Sequence, residues 1–176
     1  MQKRLLLTSA HFGITIKRLC YQLIENHDDF SNSAIIGLQP RGIFVARRIE
    51  SSLKEILGVP AIPVGTLDVT FYRDDYRRRE MITPSQTRID FLIEDKNVIL
   101  VDDVLFTGRT IRAGMDALVD FGRPRKVELL TLVDRRYSRH LPIEPDYIGI
   151  SVDTITSEKV KVHWKETEGE DGVWLV

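Results

Sequence analysis

Residues 97–112 read Asn-Val-Ile-Leu-Val-Asp-Asp-Val-Leu-Phe-Thr-Gly-Arg-Thr-Ile-Arg, and this stretch decides the fold class. Its first five residues are a short apolar run, which indicates a buried strand. Two aspartates close the run, and a glycine-containing loop then leads into a predicted helix. The apolar positions expected to face inward on that helix are Ile111, Met115, Leu118 and Val119. A strand followed at once by a helix is typical of parallel sheets.

The flanking sequence repeats this alternation of strands and helices. Strands are predicted over residues 33–38, 127–133 and 147–152. One helix is predicted to run from Ile16, and a second over residues 43–57 with Gly58 as a stop. Residues 61–72 are predicted as extended and residues 73–90 as an exposed loop or hairpin. Residues 160–164 and 173–176, separated by an acidic turn, favour a late antiparallel addition. We therefore predict an α/β fold in which a central parallel sheet carries helices on both faces, as a single domain over residues 1–176.

Composition excludes several classes of protein. The 176 residues are 43% hydrophobic and 29% charged, which is wrong for a disordered chain. A net charge of -1 argues against nucleic-acid binding by bulk charge alone, although a local basic face stays open. One cysteine builds neither a disulfide framework nor a zinc cluster. No apolar run reaches the length of a membrane span, so we expect no membrane partner and a cytoplasmic location.

Asp102 and Asp103 lie where ligands bind in open parallel sheets, at the carboxyl end of a strand. Two carboxylates at the rim of a buried strand are costly unless a cation or hydrogen-bond donors meet them. Candidates are Mg²⁺, the hydroxyls of a sugar, or a nearby arginine or lysine. The alternative is a solvated strand end or a structural salt bridge. The side chains of adjacent strand residues point to opposite sides. If the strand stays regular, at most one of the two carboxylates therefore points toward any one ligand position.

The loop of residues 106–110 favours a ligand. Backbone N–H groups at a helix N-terminus form an anion site, and Gly108 allows close approach of the backbone. Thr107 and Thr110 supply hydroxyls for a phosphate, or serve only as helix caps. The glycine-lysine pattern of a nucleotide P-loop is absent. The loop therefore suits one terminal phosphate, and with the upstream carboxylates it implies a phosphorylated sugar.

Residues 98–112 resemble the phosphoribosyl-pyrophosphate signature of the type I phosphoribosyltransferases. Flanking blocks narrow the resemblance to the bifunctional pyrimidine operon regulator/uracil phosphoribosyltransferase family; they are residues 64–75, 112–120, 122–124, 133–135, 141–143 and 157–160. The resemblance covers nearly the whole chain in the family's order. It implies the type I phosphoribosyltransferase fold with a small hood and a mobile flap, in a homo-oligomer, either dimer or tetramer.

The resemblance also implies a reaction, in which uracil and 5-phosphoribosyl 1-pyrophosphate (PRPP) give UMP and pyrophosphate with Mg²⁺. Asp102 and Asp103 are then catalytic, bind the ribose hydroxyls and help place Mg²⁺, partly through water. The residues implied for PRPP are Arg41, Gly42, Asp102, Asp103, Val104, Leu105, Phe106, Thr107, Gly108, Arg109 and Thr110. Arg135 and Val160 are implied for the base.

The flap carries four arginines: Arg73, Arg77, Arg78 and Arg79. Some of them meet the leaving pyrophosphate if the resemblance holds, and we expect Arg73 to be catalytic. The alternative for the others is a solvated charge run, because nearby acidic residues almost balance it. Arg41 has its own alternative as a surface turn residue, and Asp134 is either structural or a ligand contact.

The chain departs from the family where the family binds messenger RNA. Residues 136–142 read Arg-Tyr-Ser-Arg-His-Leu-Pro, one residue longer than usual, Pro40 replaces a threonine, and Tyr21 replaces a histidine. Other basic residues offer a different patch; they are Lys17, Arg18, Arg136 and Arg139. Regulation through an mRNA leader, responsive to UMP or UTP, therefore stays open. So do two alternatives, an attenuator with little enzymatic activity and a phosphoribosyltransferase for another base, such as a purine.

Overall fold

A computed structural model describes residues 3–74, 84–155 and 158–176, which form two sheets and four helices. In chain order the elements are β1 (Arg4–Leu7), α1 (Ser9–His27), β2 (Ser33–Leu38), α2 (Gly42–Leu57), β3 (Val64–Leu67), a 3₁₀ turn (Thr70–Tyr72), β4 (Asn97–Leu105), α3 (Arg109–Leu118), a second 3₁₀ turn (Val119–Phe121), β5 (Lys126–Arg136), β6 (Tyr147–Asp153), β7 (Val160–His163), α4 (Lys165–Glu168) and β8 (Gly172–Leu175).

The larger sheet has the order β3-β2-β4-β5-β6, and each neighbouring pair is parallel. Its central strands β2 and β4 are buried along nearly their whole length because helices cover both faces. On β4, Ile99 and Val101 pack with α1 and α2, whereas Val98 and Leu100 pack with α3. This alternation has the period of two that a strand imposes. The predicted α/β fold is confirmed.

The smaller sheet has the antiparallel order β1-β8-β7 and forms the expected hood. Its strand β1 was not predicted, because four residues give little pattern and the partner strand lies at the other end of the chain. Trp164 joins this sheet to α2. Its ring is fully buried, stacks on Phe44 with 5.3 Å between ring centroids, and lies 4.9 Å from the Arg48 guanidinium carbon. The acidic segment predicted only as a turn contains the single-turn helix α4.

Two predictions about the elements near β3 and α3 were wrong. Met115 is 39% exposed and Val119 74% exposed, so neither faces inward. The helix instead lies close to the sheet through small residues, since a side chain at Gly114 would come within 3.0 Å of Leu38. The extended run predicted over residues 61–72 ends early, because the Asp68 carboxylate accepts hydrogen bonds from the backbone and hydroxyl of Thr70 and turns the chain.

The loop predicted over residues 73–90 is described only at its two ends. Arg88 pairs with Thr66 through two backbone hydrogen bonds of 2.8 Å, which form an isolated antiparallel bridge. Arg77, Arg78 and Arg79 lie outside the described residues, as does Ser157. Among the described helices, none has the length and apolar character needed to cross a bilayer.

A buried polar network lies at the amino ends of the strands, away from the edge where β4 meets α3. His27 Nε2 lies 2.9 Å from Glu128 Oε2 and 3.2 Å from the Tyr147 hydroxyl, and its Nδ1 lies 2.9 Å from the Ser33 hydroxyl. Lys126 Nζ donates to the other oxygen of Glu128 at 2.6 Å. Burial lowers the pKa of His27, against the opposing pull of Glu128.

We expect this histidine to make the fold less stable in mild acid. With a folded pKa below the ordinary 6.5, the unfolded chain binds the proton more readily, so stability is lost as the pH falls below about 6.5. Urea unfolding at pH 7.5 and 5.5 measures the effect, and the His27→Gln variant should show a smaller drop in midpoint than the parent. The exposed His11→Gln change is the control. An equal drop in the parent and His27→Gln would contradict this assignment.

Candidate functional site

A cleft of about 1340 Å³ opens at the carboxyl ends of β2, β4 and β5, with the hood strand β7 on its other side. The carboxyl ends of parallel strands lie along the same edge of the sheet, so loops that are distant in sequence come together there. The cleft brings together nearly all residues predicted for the site; its lining includes Arg41, Arg73, Asp102, Asp103, Val104, Leu105, Phe106, Thr107, Gly108, Arg109, Thr110, Arg135 and Val160. Gly42 is the exception.

Asp102 and Asp103 lie on β4 itself, which continues to Leu105 instead of ending before the carboxylates as predicted. Both are buried, with 8% and 9% of their surfaces exposed. Burial, reinforced by the neighbouring charge of Asp103, raises the pKa of Asp102 well above its ordinary value. Burial also raises the pKa of Asp103, although the hydrogen bond from Arg41 opposes the shift. Two buried carboxylates therefore lack a full complement of positive charge.

Arg41 faces the carboxylate pair from the turn between β2 and α2. Its Nε donates to Asp103 Oδ2 at 2.9 Å, and its Nη2 donates to the backbone carbonyl of Val162 in the hood. The peptide bond between Gln39 and Pro40 is cis. Because the Arg41 side chain is 42% exposed and lines the cleft, it is more than a surface turn residue.

Gly42 was predicted to bind PRPP, but it is absent from the cleft lining. It is buried at the start of α2, where an added Cβ would lie 2.3 Å from the Val101 carbonyl oxygen and 3.0 Å from the Asp102 Cα. Its role is therefore to let the helix approach the strand that carries the carboxylates. Its predicted contact with PRPP stays a prediction.

The loop before α3 has the geometry of an anion site. Gly108 is the N-cap residue of α3 with a φ of 88°, and as a glycine it makes no side-chain cap hydrogen bond. The Thr107 hydroxyl accepts from the Arg109 N–H at 3.4 Å, and the Thr110 hydroxyl accepts from Arg73 at 2.5 Å. The Thr107 carbonyl accepts from the backbone N–H of His140 at 3.0 Å, which braces the loop. Thr107 thus contacts the first N–H of α3, whereas Thr110 is bound to Arg73 and does not act as a cap.

Arg135 and Val160 lie in the same cleft, on β5 and β7. The Arg135 guanidinium carbon is 4.1 Å from the centroid of the Phe106 ring. Its Nε donates to the Thr154 hydroxyl at 3.0 Å and its Nη2 to the Glu158 carbonyl at 2.9 Å, so the planar group is held in one orientation. Asp134 instead pairs with Arg139 outside the cleft lining, which makes it structural.

Several cleft residues were missed by sequence reasoning, among them Gln39, Asp74, His140, Lys161 and His163. Lys161 and His163 lie on β7, and no local pattern places a hood strand beside the carboxylates. Asp74 carried a signal, since it follows Arg73 directly in a matched block. The lining holds six lysine and arginine side chains against four carboxylates, an excess of positive charge that suits a polyanionic ligand.

The carboxylate pair fits a hard divalent cation such as Mg²⁺. Two buried carboxylates with raised pKa values have room for more positive charge than Arg41 supplies, and Mg²⁺ prefers oxygen donors. The described residues contain no cluster of three or more histidine, cysteine, aspartate or glutamate side chains suited to a metal. An ion held here would therefore take most of its oxygens from water and substrate, as Mg²⁺ commonly does.

Comparisons with known proteins agree with this geometry. Residues 5–167 match the phosphoribosyl transferase domain model. The bifunctional protein PyrR of Desulfosudis oleivorans is 49% identical over 175 residues, covering 98% of this chain and 96% of that protein. The bifunctional protein PyrR of Microcystis aeruginosa is 44% identical over 171 residues, covering 97% and 96%.

Solved structures support the fold alone. The hypoxanthine phosphoribosyltransferase of Trypanosoma cruzi superimposes with a TM-score of 0.71 at 16% identity, over 98% of this chain and 95% of that one. A Staphylococcus aureus hypoxanthine phosphoribosyltransferase gives 0.69 at 20% identity, over 97% and 90%. On the domain match and the near-complete coverage by close relatives, the chain belongs to the phosphoribosyltransferase domain family and, within it, to the bifunctional PyrR proteins.

Proposed function

We propose that the protein is a uracil phosphoribosyltransferase, which converts uracil and PRPP to UMP and pyrophosphate. The observation that carries this proposal is the placement of Asp102 and Asp103 in one cleft with Arg41 on one side and the anion-binding loop 106–110 on the other. This order matches the order of groups in PRPP, which has a pyrophosphate on C1, two ring hydroxyls and a 5′-phosphate.

The chain's own groups have distinct roles in the proposed reaction. Asp102 and Asp103 accept hydrogen bonds from the ribose hydroxyls, and the backbone N–H groups of residues 107–110 hold the 5′-phosphate. Arg41 stabilises the charge that develops on the departing pyrophosphate, and Arg73 at the flap base adds a second guanidinium. Mg²⁺, when bound, would neutralise part of the negative charge of the pyrophosphate. Positioning both substrates in a cleft supplies much of the remaining rate enhancement.

Base selection falls to Arg135 and the backbone near Val160 in this proposal. Uracil presents two carbonyl acceptors and two N–H donors, so a fixed guanidinium and backbone groups suffice to recognise it. Because Arg135 is immobilised by Phe106, Thr154 and Glu158, little entropy is lost when it donates to a carbonyl.

Formation of UMP from uracil, PRPP and Mg²⁺ tests the function. A substrate panel with hypoxanthine, guanine and uracil then tests the base. We expect uracil to give the highest kcat/KM. Preference for hypoxanthine would overturn the base assignment, whereas absence of both turnover and PRPP binding would overturn the enzyme.

RNA binding is the second candidate function, favoured by the bifunctional relatives. Three of the four basic residues of the suggested patch serve intramolecular contacts. Arg18 donates to the backbone carbonyls of Ile148 and Gly149, and Arg136 pairs with Asp153. Arg139 pairs with Asp134 and donates to the Phe106 carbonyl. We therefore expect an RNA face to rely on shape and base contacts more than on these three charges.

A gel shift with a pyrimidine-operon mRNA leader at physiological salt tests this second function. We expect UMP or UTP to strengthen RNA binding if the pocket senses nucleotide. Absence of any shift would rule out the RNA-binding function. An attenuator with little enzymatic activity would bind UMP and RNA but turn over no uracil. Three further statements stay expectations: the single domain, the dimer or tetramer, and the cytoplasmic location. Light scattering tests the oligomeric state.

A further inference from the structure

A carboxylate of the chain itself lies beside the start of α3, in the same cleft as the loop that the proposed function gives to the 5′-phosphate. The Arg109 guanidinium donates to Asp74 Oδ2, and Arg112 Nη1 lies 3.7 Å from the same oxygen. Both arginines belong to the first turn of α3, directly after Gly108. Asp74 lines the same cleft as Arg109 and Thr110. One internal anion is therefore bridged by two cations at a helix N-terminus.

The residue before Asp74 contacts the same loop. Arg73 Nη1 donates to the Thr110 hydroxyl at 2.5 Å, and its charge acts on Asp102 further along the cleft. Residues 73 and 74 thus place a cation toward the carboxylate pair and an anion against the two arginines. Asp74 thus places a negative charge on the Arg109 guanidinium, as a sugar phosphate in this cleft would.

We infer that the 5′-phosphate contacts the Arg109 guanidinium as well as the backbone N–H groups of residues 107–110. Asp74 then competes with the phosphate for this guanidinium and thereby sets the affinity for 5′-phosphorylated ligands. This inference rests on the proposed function, because it takes loop 106–110 as the phosphate site. A phosphate carries more charge than a carboxylate and three acceptor oxygens, so it prevails when bound. A phosphate on Arg109 repels the Asp74 carboxylate beside it, so in this proposal the phosphate displaces Asp74 from Arg109. The observed association constant is then the intrinsic association constant multiplied by the fraction of molecules in which Asp74 is released from Arg109.

A positioning role for Asp74 makes the opposite prediction. If the carboxylate only held Arg109 in the orientation that phosphate requires, its removal would loosen Arg109 and weaken binding. The sign of the change in affinity therefore separates competition from positioning. Exposure allows the substitution without loss of the fold, because Asp74 and Arg109 have 39% and 37% of their side chains exposed.

The experiment is calorimetric titration of the full chain and of Asp74→Asn with UMP and with uridine, which lacks the 5′-phosphate. We expect Asp74→Asn to bind UMP about tenfold more tightly, as for a competing contact that is closed roughly 90% of the time. Uridine affinity should change by less than about twofold, since no phosphate competes. The matched control is Asp116→Asn, which also removes one negative charge. The Asp116 carboxylate lies in α3, with its Oδ2 3.6 Å from Arg112 Nε, and is paired with Arg112 instead of Arg109. It should leave both affinities within about twofold.

Each outcome decides something. Tighter UMP binding in Asp74→Asn alone supports competition. Weaker UMP binding identifies a positioning residue and overturns it, as does an unchanged affinity. An equal gain for UMP and uridine, or for Asp116→Asn, overturns it in favour of a general change in charge. If the parent protein binds neither UMP nor PRPP, the proposed function fails and the inference fails with it.

Discussion

Replacing both carboxylates of the cleft, in Asp102→Asn/Asp103→Asn, should lower kcat/KM for UMP formation by about 10³-fold or more, while the protein stays folded. The loss is expected because these groups accept from the ribose and place the cation that offsets the pyrophosphate charge, contacts of a kind that carry large catalytic effects. Initial-rate assays with varied PRPP measure it. We expect the same variant to lose most of the Mg²⁺-dependent gain in PRPP affinity.

The fold of this variant should be more stable than the parent at neutral pH. Because burial raises the pKa of both aspartates, the folded chain holds protons that the unfolded chain releases, so their contribution to stability is greatest below the ordinary Asp pKa and is lost as the pH rises through the folded values. Urea midpoints at pH 5 and 8 should therefore differ less in the variant than in the parent.

Asp153→Asn is the matched control for this pair, since Asp153 also lies near a strand end but is exposed and pairs with Arg136. It should keep full activity. Turnover within tenfold of the parent in Asp102→Asn/Asp103→Asn would contradict the assigned role, and so would collapse of the fold, which would make the pair structural.

Gly42→Ala should be the next most damaging change, although it adds a single methyl group outside the cleft. The new Cβ would stand 2.3 Å from the Val101 carbonyl oxygen, where only backbone can yield. We expect the free energy of unfolding to fall by about 1–3 kcal/mol. Since α2 must move away from β4, Arg41 shifts relative to Asp103, and kcat/KM should fall about 10²-fold.

Gly13→Ala provides the control, because the exposed Gly13 in α1 has no atom within 4 Å of an added Cβ. It should stabilise the helix by roughly 0.5–1 kcal/mol and leave activity unchanged. Chemical denaturation and initial rates on both variants measure these effects. Parental stability and activity in Gly42→Ala would show that α2 does not depend on this close approach.

The features that could be predicted from the sequence are those whose residues are contiguous in the chain. The strand Ser33–Leu38, the carboxylate pair and the loop before α3 could all be located because each is a local pattern whose residues act together. The parallel sheet followed from the alternation of strands and helices. The family resemblance extended this to Arg41, Arg135 and Val160, which the cleft then brought together.

What could not be predicted depends on contacts between distant segments. Strand β1 exists because β8 pairs with it, and Lys161 reaches the cleft only because the hood closes over β4. The close approach of Gly42 to the backbone of β4 is also a contact between distant segments, and no local pattern shows it. On helix α3, Ile111 and Leu118 are buried as predicted, whereas Met115 and Val119 are exposed and the small residue Gly114 packs on Leu38.

A crystal structure of the protein soaked with UMP tests the central claim most directly. The account predicts that the ribose hydroxyls lie within hydrogen-bond distance of Asp102 and Asp103, the 5′-phosphate on the backbone N–H groups of residues 107–110, and the uracil ring beside Arg135. UMP bound elsewhere, or with its phosphate away from the start of α3, would contradict it.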